Sequence, residues 1–295
     1  MTQLAFVDGR LVPRDEARVS IDDAAVRYGA ACFETMLAVN GRVFRLDPHL
    51  ARLARGLAAL GVDAPSAAYL RDAVARTLQA NALRDARVRL SVSAGRMPRP
   101  DLATAVSPSV IVVAEPLVEA PAAPLHLLVA SQRVDPGRPL AAAKTAQYLT
   151  YLVAAAEAHR SGFDDALLLN THGRLCEAST SNLFARIDST LVTPPIEDGP
   201  IPGITRAALL ELAPRAGLTP VERSLTLHEL ASVQELFVTN SIAGLRSVAA
   251  VSHRSPAGGD TRPIWSGDTS EATSRLRVEY AALVARECAE GEAGV

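Results

Sequence analysis

The sequence predicts an α+β chain in two domains, and three observations carry that reading. Its 295 residues are more than one ordinary core holds and fewer than three would need. Apolar residues recur with period two in some segments and at spacings of three and four in others. The stretch Glu119-Ala120-Pro121-Ala122-Ala123-Pro124 carries two prolines and no periodicity, as a linker does. An N-terminal α+β domain is therefore expected at 1–118, a linker at 119–124 and a C-terminal α/β domain at 125–295.

In the first domain, Asp8-Gly9 lies between Leu4-Ala5-Phe6-Val7 and Arg10-Leu11-Val12. Asn40-Gly41 lies between Met36-Leu37-Ala38-Val39 and Arg42-Val43-Phe44. Both dipeptides suit hairpin turns, so two β-hairpins are expected. Asp47-Pro48 supplies a cap and a first-turn proline to a helix whose Leu50, Leu53, Leu57 and Leu60 form one stripe. A second helix follows from Ser66 to about Asn81, then strands near Arg87–Ser93 and Ser109–Ala114. In the second domain a strand is expected at Leu125–Ala130 and a helix at about Ala146–Arg160 closed by Gly162. Strands at Ala166–Asn170 and Asn182–Ile187, a helix at Ile204–Ala216 and a strand at Glu235–Val238 follow. The segment His253–Thr269, rich in Gly, Pro, Ser and Asp, predicts an exposed excursion before a C-terminal helix ending near Cys288.

Composition narrows the function classes. Hydrophobic residues make up 48% and charged residues 21%, as in ordinary globular proteins, and the formal net charge of −2 gives no electrostatic reason to expect nucleic acid or an anionic membrane. No basic stretch leads into an apolar run at Met1-Thr2-Gln3-Leu4 and no apolar segment reaches spanning length, so a cytoplasmic protein is expected. Cys32, Cys176 and Cys288 are odd in number and far apart, which suits reduced thiols rather than disulfides or a thiolate metal site, and no metal is expected. No P-loop, H-E-x-x-H, G-x-S-x-G or G-x-G-x-x-G occurs.

One position stands out. Of 30 residues that are Lys or Arg, only Lys144 is lysine. Arginine replaces lysine in surface charge and in many ion pairs, but its guanidinium stays protonated and cannot act as an amine nucleophile. A solvated surface lysine remains one reading. The apolar flank Ala141-Ala142-Ala143 and the helix that follows favour the other, an amine partly desolvated for nucleophilic work such as Schiff-base formation.

The ordered motifs along the chain resemble the class IV aminotransferases, the fold-type IV enzymes that bind pyridoxal 5′-phosphate (PLP) and include D-amino-acid and branched-chain aminotransferases and aminodeoxychorismate lyases. The motifs are Arg27-Tyr28-Gly29, Phe33-Glu34-Thr35, Gly41 and His49-Leu50-Ala51-Arg52-Leu53, then Lys144. Further on come Gly162-Phe163-Asp164-Asp165-Ala166, Gly173 to Phe184, Pro202-Gly203-Ile204-Thr205-Arg206, and Thr239-Asn240-Ser241 with Gly244. The resemblance implies a small N-terminal α/β domain, a larger C-terminal α/β pseudo-barrel domain that binds PLP, and a homodimer.

By that resemblance Lys144 carries the Schiff base and Glu177 partners the pyridine nitrogen. Arg52, the helix start at Gly203, Ile204 and Thr205, and Thr239, Asn240 and Ser241 would hold the phosphate. Read as isolated residues, Glu177 would be a solvated strand-end carboxylate, Arg52 a surface arginine and Thr239-Asn240-Ser241 a turn. Arg99, or Arg96 beside it, is the candidate for a substrate carboxylate, and Tyr28 and Tyr148 are candidates to line the cofactor pocket or to pack in the core. Two reactions are implied: amino transfer between a small amino acid or amine and a 2-oxo acid, or elimination of pyruvate from aminodeoxychorismate. Gln147 stands where D-amino-acid aminotransferases and lyases have asparagine, and Ala94 replaces their arginine before the loop glycine, so substrate identity stays open.

Overall fold

The computed structural model describes residues 3–119, 121, 123–254, 260–268 and 271–289. The chain divides into two compact units. One comprises Met1–Glu119, Ala143–Gln147 and Leu283–Val295, the other Ala120–Ala142 and Tyr148–Ala282. Of the linker expected at 119–124, residues 120 and 122 lie outside the described residues.

The first unit contains β1 (Leu4–Val7), β2 (Arg10–Pro13), α1 (Ala24–Tyr28), β3 (Ala31–Val39), β4 (Arg42–Val43), α2 (Leu46–Ala59), α3 (Ala67–Ala80), β5 (Ala86–Ser93) and β6 (Val110–Pro116). Its six strands form one antiparallel sheet in the order β2-β1-β6-β5-β3-β4. Both expected hairpins are present, β1 with β2 and β3 with β4. On β5, Ala86, Val88, Leu90 and Val92 are buried, and Leu50, Leu53 and Leu57 of α2 are buried with Leu70, Val74 and Leu78 of α3. Each such leucine contributes about 1.5–3 kcal/mol by leaving water. The start of α2 differs from expectation: its N-cap is Arg45, with φ 52 and no side-chain cap, while Asp47 sits in the first turn and accepts from Arg71. Ser66 caps α3 as expected, accepting from the Tyr69 amide.

The second unit contains β7 (Leu125–Val134), α4 (Leu149–Arg160), β8 (Asp165–Asn170), β9 (Leu175–Ala178), β10 (Asn182–Ile187), β11 (Thr190–Thr193), α5 (Ile204–Leu212), β12 (Thr219–Glu222), β13 (Glu235–Asn240), β14 (Gly244–Arg254) and β15 (Thr261–Ser266). The last helix among the described residues is α6 (Glu271–Glu287). The sheet runs β12-β11-β10-β13-β14-β7-β8-β9, with β15 on β14. A further bridge between Glu177 and Asn182 joins β9 to β10, so six strands close a barrel-like circuit. Strand β7 pairs in parallel with both β14 and β8 and is buried on two faces, which explains its continuous apolar run. Leu125, Leu127 and Val129 join one core cluster, while Leu128 and Ala130 pack with Tyr151, Ala154 and Ala158 of α4 in another.

Three expectations need correction here. Helix α4 starts at Leu149 rather than Ala146, because the Ala146 amide donates to the Ala31 carbonyl at 2.8 Å and Thr145 bridges Cys32, which keeps the chain extended. Thr239 and Asn240 end β13 rather than following it. The segment His253–Thr269 is strand rather than a loop excursion where it is described, since β14 runs through Arg254 and β15 pairs with it, although Arg254, Arg262, Pro263 and Ser266 are exposed as expected. Residues 255–259 and 269 lie outside the described residues. Trp265 is buried, and its indole N–H donates to the Val233 carbonyl at 2.9 Å.

Trp265→Phe removes that donor and leaves a buried carbonyl unpaired, so we expect a loss of about 1–3 kcal/mol in chemical denaturation followed by circular dichroism. An unchanged midpoint would show that the indole contributes only volume.

Candidate active site

In the first unit the site is built on β3. Alternation along the strand puts Cys32, Glu34 and Met36 on the face covered by helices and Phe33 and Thr35 on the other. The Phe33 amide donates to the Lys144 carbonyl at 3.0 Å, and the Ala146 amide to Ala31, so backbone bonds tie the chain to β3 at the lysine's own carbonyl and two residues beyond it. Lys144 is half-buried between buried Ala143 and Thr145, and its Nζ stands 4.6 Å from the centre of the Phe33 ring. The guanidinium of Arg89, on β5, lies 3.9 Å from the same centre.

Behind the strand, Glu34 is fully buried. Arg52, itself buried rather than on the surface, donates to it through Nε at 2.8 Å and through Nη2, and His49 Nδ1 lies 2.6 Å from its Oε2. Burial would raise the Glu34 carboxyl, but the hydrogen bonds and charge of Arg52 and His49 outweigh it and hold the group below its ordinary range. Burial pushes the His49 imidazole down, and the nearby cations Arg52 and Lys144 add to this against the pull of Glu34. The cluster is therefore an ionised carboxylate, an arginine and a neutral histidine.

In the second unit Glu177 is buried on β9, not solvated. Its Oε1 accepts from Tyr151 Oη at 2.8 Å, and its Oε2 from the Ile201 amide at 3.1 Å and Asn182 Nδ2 at 3.3 Å. Asn182 Nδ2 also donates to the Ile201 carbonyl at 2.8 Å. A Cβ on Gly203 would come within 1.9 Å of Asn182 Oδ1, which explains the glycine. Gly203 is the N-cap of α5 and offers no side-chain cap to the amides of the first turn. Opposite Asn182 in the β10–β13 register stands Thr239, whose buried Oγ1 has no hydrogen-bond partner among the described residues.

The remaining candidates are placed as follows. Ile204 and Thr205 are buried in the first turn of α5, with Thr205 Oγ1 3.4 Å from Tyr280 Oη. Asn240 is engaged in the turn, accepting from the Ile242 and Ala243 amides at 3.0 and 2.8 Å and donating to Ser181. Ser241 is half-buried beside it. Arg96 and Arg99 are exposed on the β5–β6 loop, and Tyr28 is exposed with Arg27 over its ring. Tyr148 stacks on Tyr151 and donates to the Ser179 carbonyl at 2.6 Å. The sequence reading assigns no role to Glu34, His49, Arg89, Tyr151 or Asn182. A charge at an inward position of β3 is the available signal for Glu34, whereas nothing in the sequence alone brings Arg89 to Phe33.

An uncapped helix start and an orphaned buried hydroxyl near it fit the phosphate of a cofactor, and a buried carboxylate fixed by three donors fits a pyridine nitrogen. With the closed strand circuit, these features define a fold-type IV enzyme. The chain belongs to the class IV aminotransferase family, whose model matches residues 31–251. It is 32% identical over 285 residues to a Methanocaldococcus jannaschii protein described provisionally as a branched-chain-amino-acid aminotransferase, covering 93% of this chain and 94% of that one. Among solved structures it matches a branched-chain amino acid aminotransferase with bound pyridoxamine 5′-phosphate at TM-score 0.85 and 26% identity, covering 97% and 95% of the two chains. It also matches the 4-amino-4-deoxychorismate lyase of Pseudomonas aeruginosa at TM-score 0.82 and 29% identity, covering 95% and 98%.

The buried cluster sets an acid limit on stability. His49 sits below its ordinary value of 6.5 in the folded chain, so as pH falls through that value the unfolded chain takes up the proton first and stability drops. Glu34 contributes stability above its ordinary 4.5 that is lost as pH falls through its lower folded value. We expect His49→Gln to flatten the slope just below pH 6.5, which is at most about 1.4 kcal/mol per pH unit for one proton. Denaturant midpoints for both proteins across roughly pH 4–7 check this, and equal slopes would remove His49 as the source.

Proposed function

We propose that this chain is a PLP-dependent aminotransferase that moves the amino group of a branched-chain or other small amino acid to a 2-oxo acid. The observation that carries the reading is the setting of Lys144. The chain's sole lysine is pinned to β3 by backbone bonds at its own carbonyl and at Ala146, and it shares the Phe33 ring with a second cation, Arg89. The names of the relatives support the substrate class.

Lys144 Nζ would hold the cofactor's aldehyde carbon and, when released by substrate, accept and return the Cα proton. Glu177 would hold the pyridine nitrogen in its protonated form. Arg52, the first-turn amides of Ile204 and Thr205, Thr239 Oγ1 and the Asn240-Ser241 turn would hold the phosphate. Bound there, PLP supplies an aldehyde that condenses with amines and a ring that accepts the electron pair left when the Cα proton departs. Arg89, which shares the Phe33 ring with Lys144, would meet a carboxylate of the substrate, and Arg96 and Arg99 are further candidates from the β5–β6 loop. Phe33 supplies an apolar wall beside the amine. The second reading, elimination of pyruvate from aminodeoxychorismate, uses the same lysine and is favoured by the likeness to the Pseudomonas aeruginosa lyase.

Three measurements test this reading. Borohydride reduction of the protein with PLP should fix the cofactor on the peptide containing Lys144, and Lys144→Ala should take up none; a reduced adduct elsewhere would end the proposal. A panel of D- and L-amino acids with 2-oxoglutarate or pyruvate, run beside aminodeoxychorismate, should show amino transfer. Release of pyruvate and 4-aminobenzoate without transfer would decide for the lyase. Arg89→Ala should raise KM by about tenfold with less change in kcat if its contact is equal in ground and transition states.

A further inference from the structure

Glu177 has a second layer behind it. Tyr151, buried on α4, donates to Glu177 Oε1 at 2.8 Å, and Arg138 Nη2, from the segment between β7 and α4, donates to the same Tyr151 Oη at 3.4 Å. The buried Nε of Arg138 has no hydrogen-bond partner among the described residues, so the guanidinium reaches the phenol at the cost of a satisfied donor of its own. Tyr148 stacks on Tyr151 with ring centres 4.7 Å apart and restrains the phenol from the side. Burial, then the charge of Glu177, push the Tyr151 hydroxyl well above its ordinary range, against the pull of Arg138, so it is a donor throughout the working pH range. An arginine donating to a phenol oxygen polarises the O–H and strengthens the bond that phenol gives onward.

We propose that Tyr151, backed by Arg138, is a positioning residue that fixes the Glu177 carboxylate toward the cofactor's ring nitrogen. The inference rests on the reading that Glu177 partners that nitrogen. Without the Tyr151 hydroxyl the carboxylate becomes more basic and competes for the ring proton, which weakens the ring as an acceptor of electrons.

The test uses full-length apoprotein titrated with PLP and with the deaza analogue in which CH replaces the ring nitrogen. Wild type should prefer PLP by about tenfold or more, the scale of one charged hydrogen bond. Tyr151→Phe should narrow that preference several-fold, and Arg138→Met should narrow it in the same direction if Tyr151→Phe does not fold. In Glu177→Gln the preference should collapse, and adding Tyr151→Phe to it should change nothing more. Single-turnover kinetics of Tyr151→Phe should show a lower maximal rate with little change in the half-saturating amino acid concentration. If Glu177→Gln loses the preference while Tyr151→Phe and Arg138→Met keep it in full, the positioning role is overturned and the Glu177 assignment stands. If Glu177→Gln keeps the preference, the assignment itself fails and the inference falls with it.

Discussion

Between Glu177 and Asn182 a β-bridge and a side-chain hydrogen bond coincide. The bridge joins β9 to β10 and closes the strand circuit, and the hydrogen bond fixes the carboxylate that the circuit carries. The same Asn182 amide reaches the Ile201 carbonyl and its oxygen lies against Gly203, so the start of α5 is set by the residue that closes the barrel. Moving any one of these groups moves the others, because a buried carboxylate that loses a donor is costly and a Cβ at position 203 has nowhere to go.

The first unit solves a different problem with similar means. Glu34, His49 and Arg52 are buried where apolar residues would be cheaper, and such clusters add little net stability. What they supply is a fixed guanidinium. With Glu34 accepting from both Nε and Nη2, the plane of Arg52 is set by β3, the strand that also holds the backbone of Lys144. The amine and the arginine are thus registered to one element.

Much of this is legible in the sequence, and the exceptions share causes. The leucine stripe of α2, both hairpins and the Ser66 cap follow from local spacing and turn chemistry, and the structure has them. The four-residue strands β9, β11 and β12 are too short to show periodicity. Strand β15 hides in the sequence because Pro263 and its polar neighbours look like turn residues, yet proline is tolerated on an edge strand, and here it faces a register shift in β14. Asp47 has the residue type of a cap, while the chain reaches the helix through Arg45 instead. Lys144 stands out through composition and Glu177 through the family resemblance. Tyr151 and Arg89 carry no such signal, since their partners are distant in sequence and only the folded chain brings them near.

The parallel pairing of β7 has a consequence for how the chain is made. Strand β7 has β8 on one side soon after it leaves the ribosome, but its other neighbour, β14, begins only at Gly244. At ordinary elongation rates the wait is on the order of ten seconds. During it, one edge of a strand carrying Leu125, Leu127 and Leu128 lacks the partner it has in the folded chain, and an open apolar edge is a template for pairing with another strand.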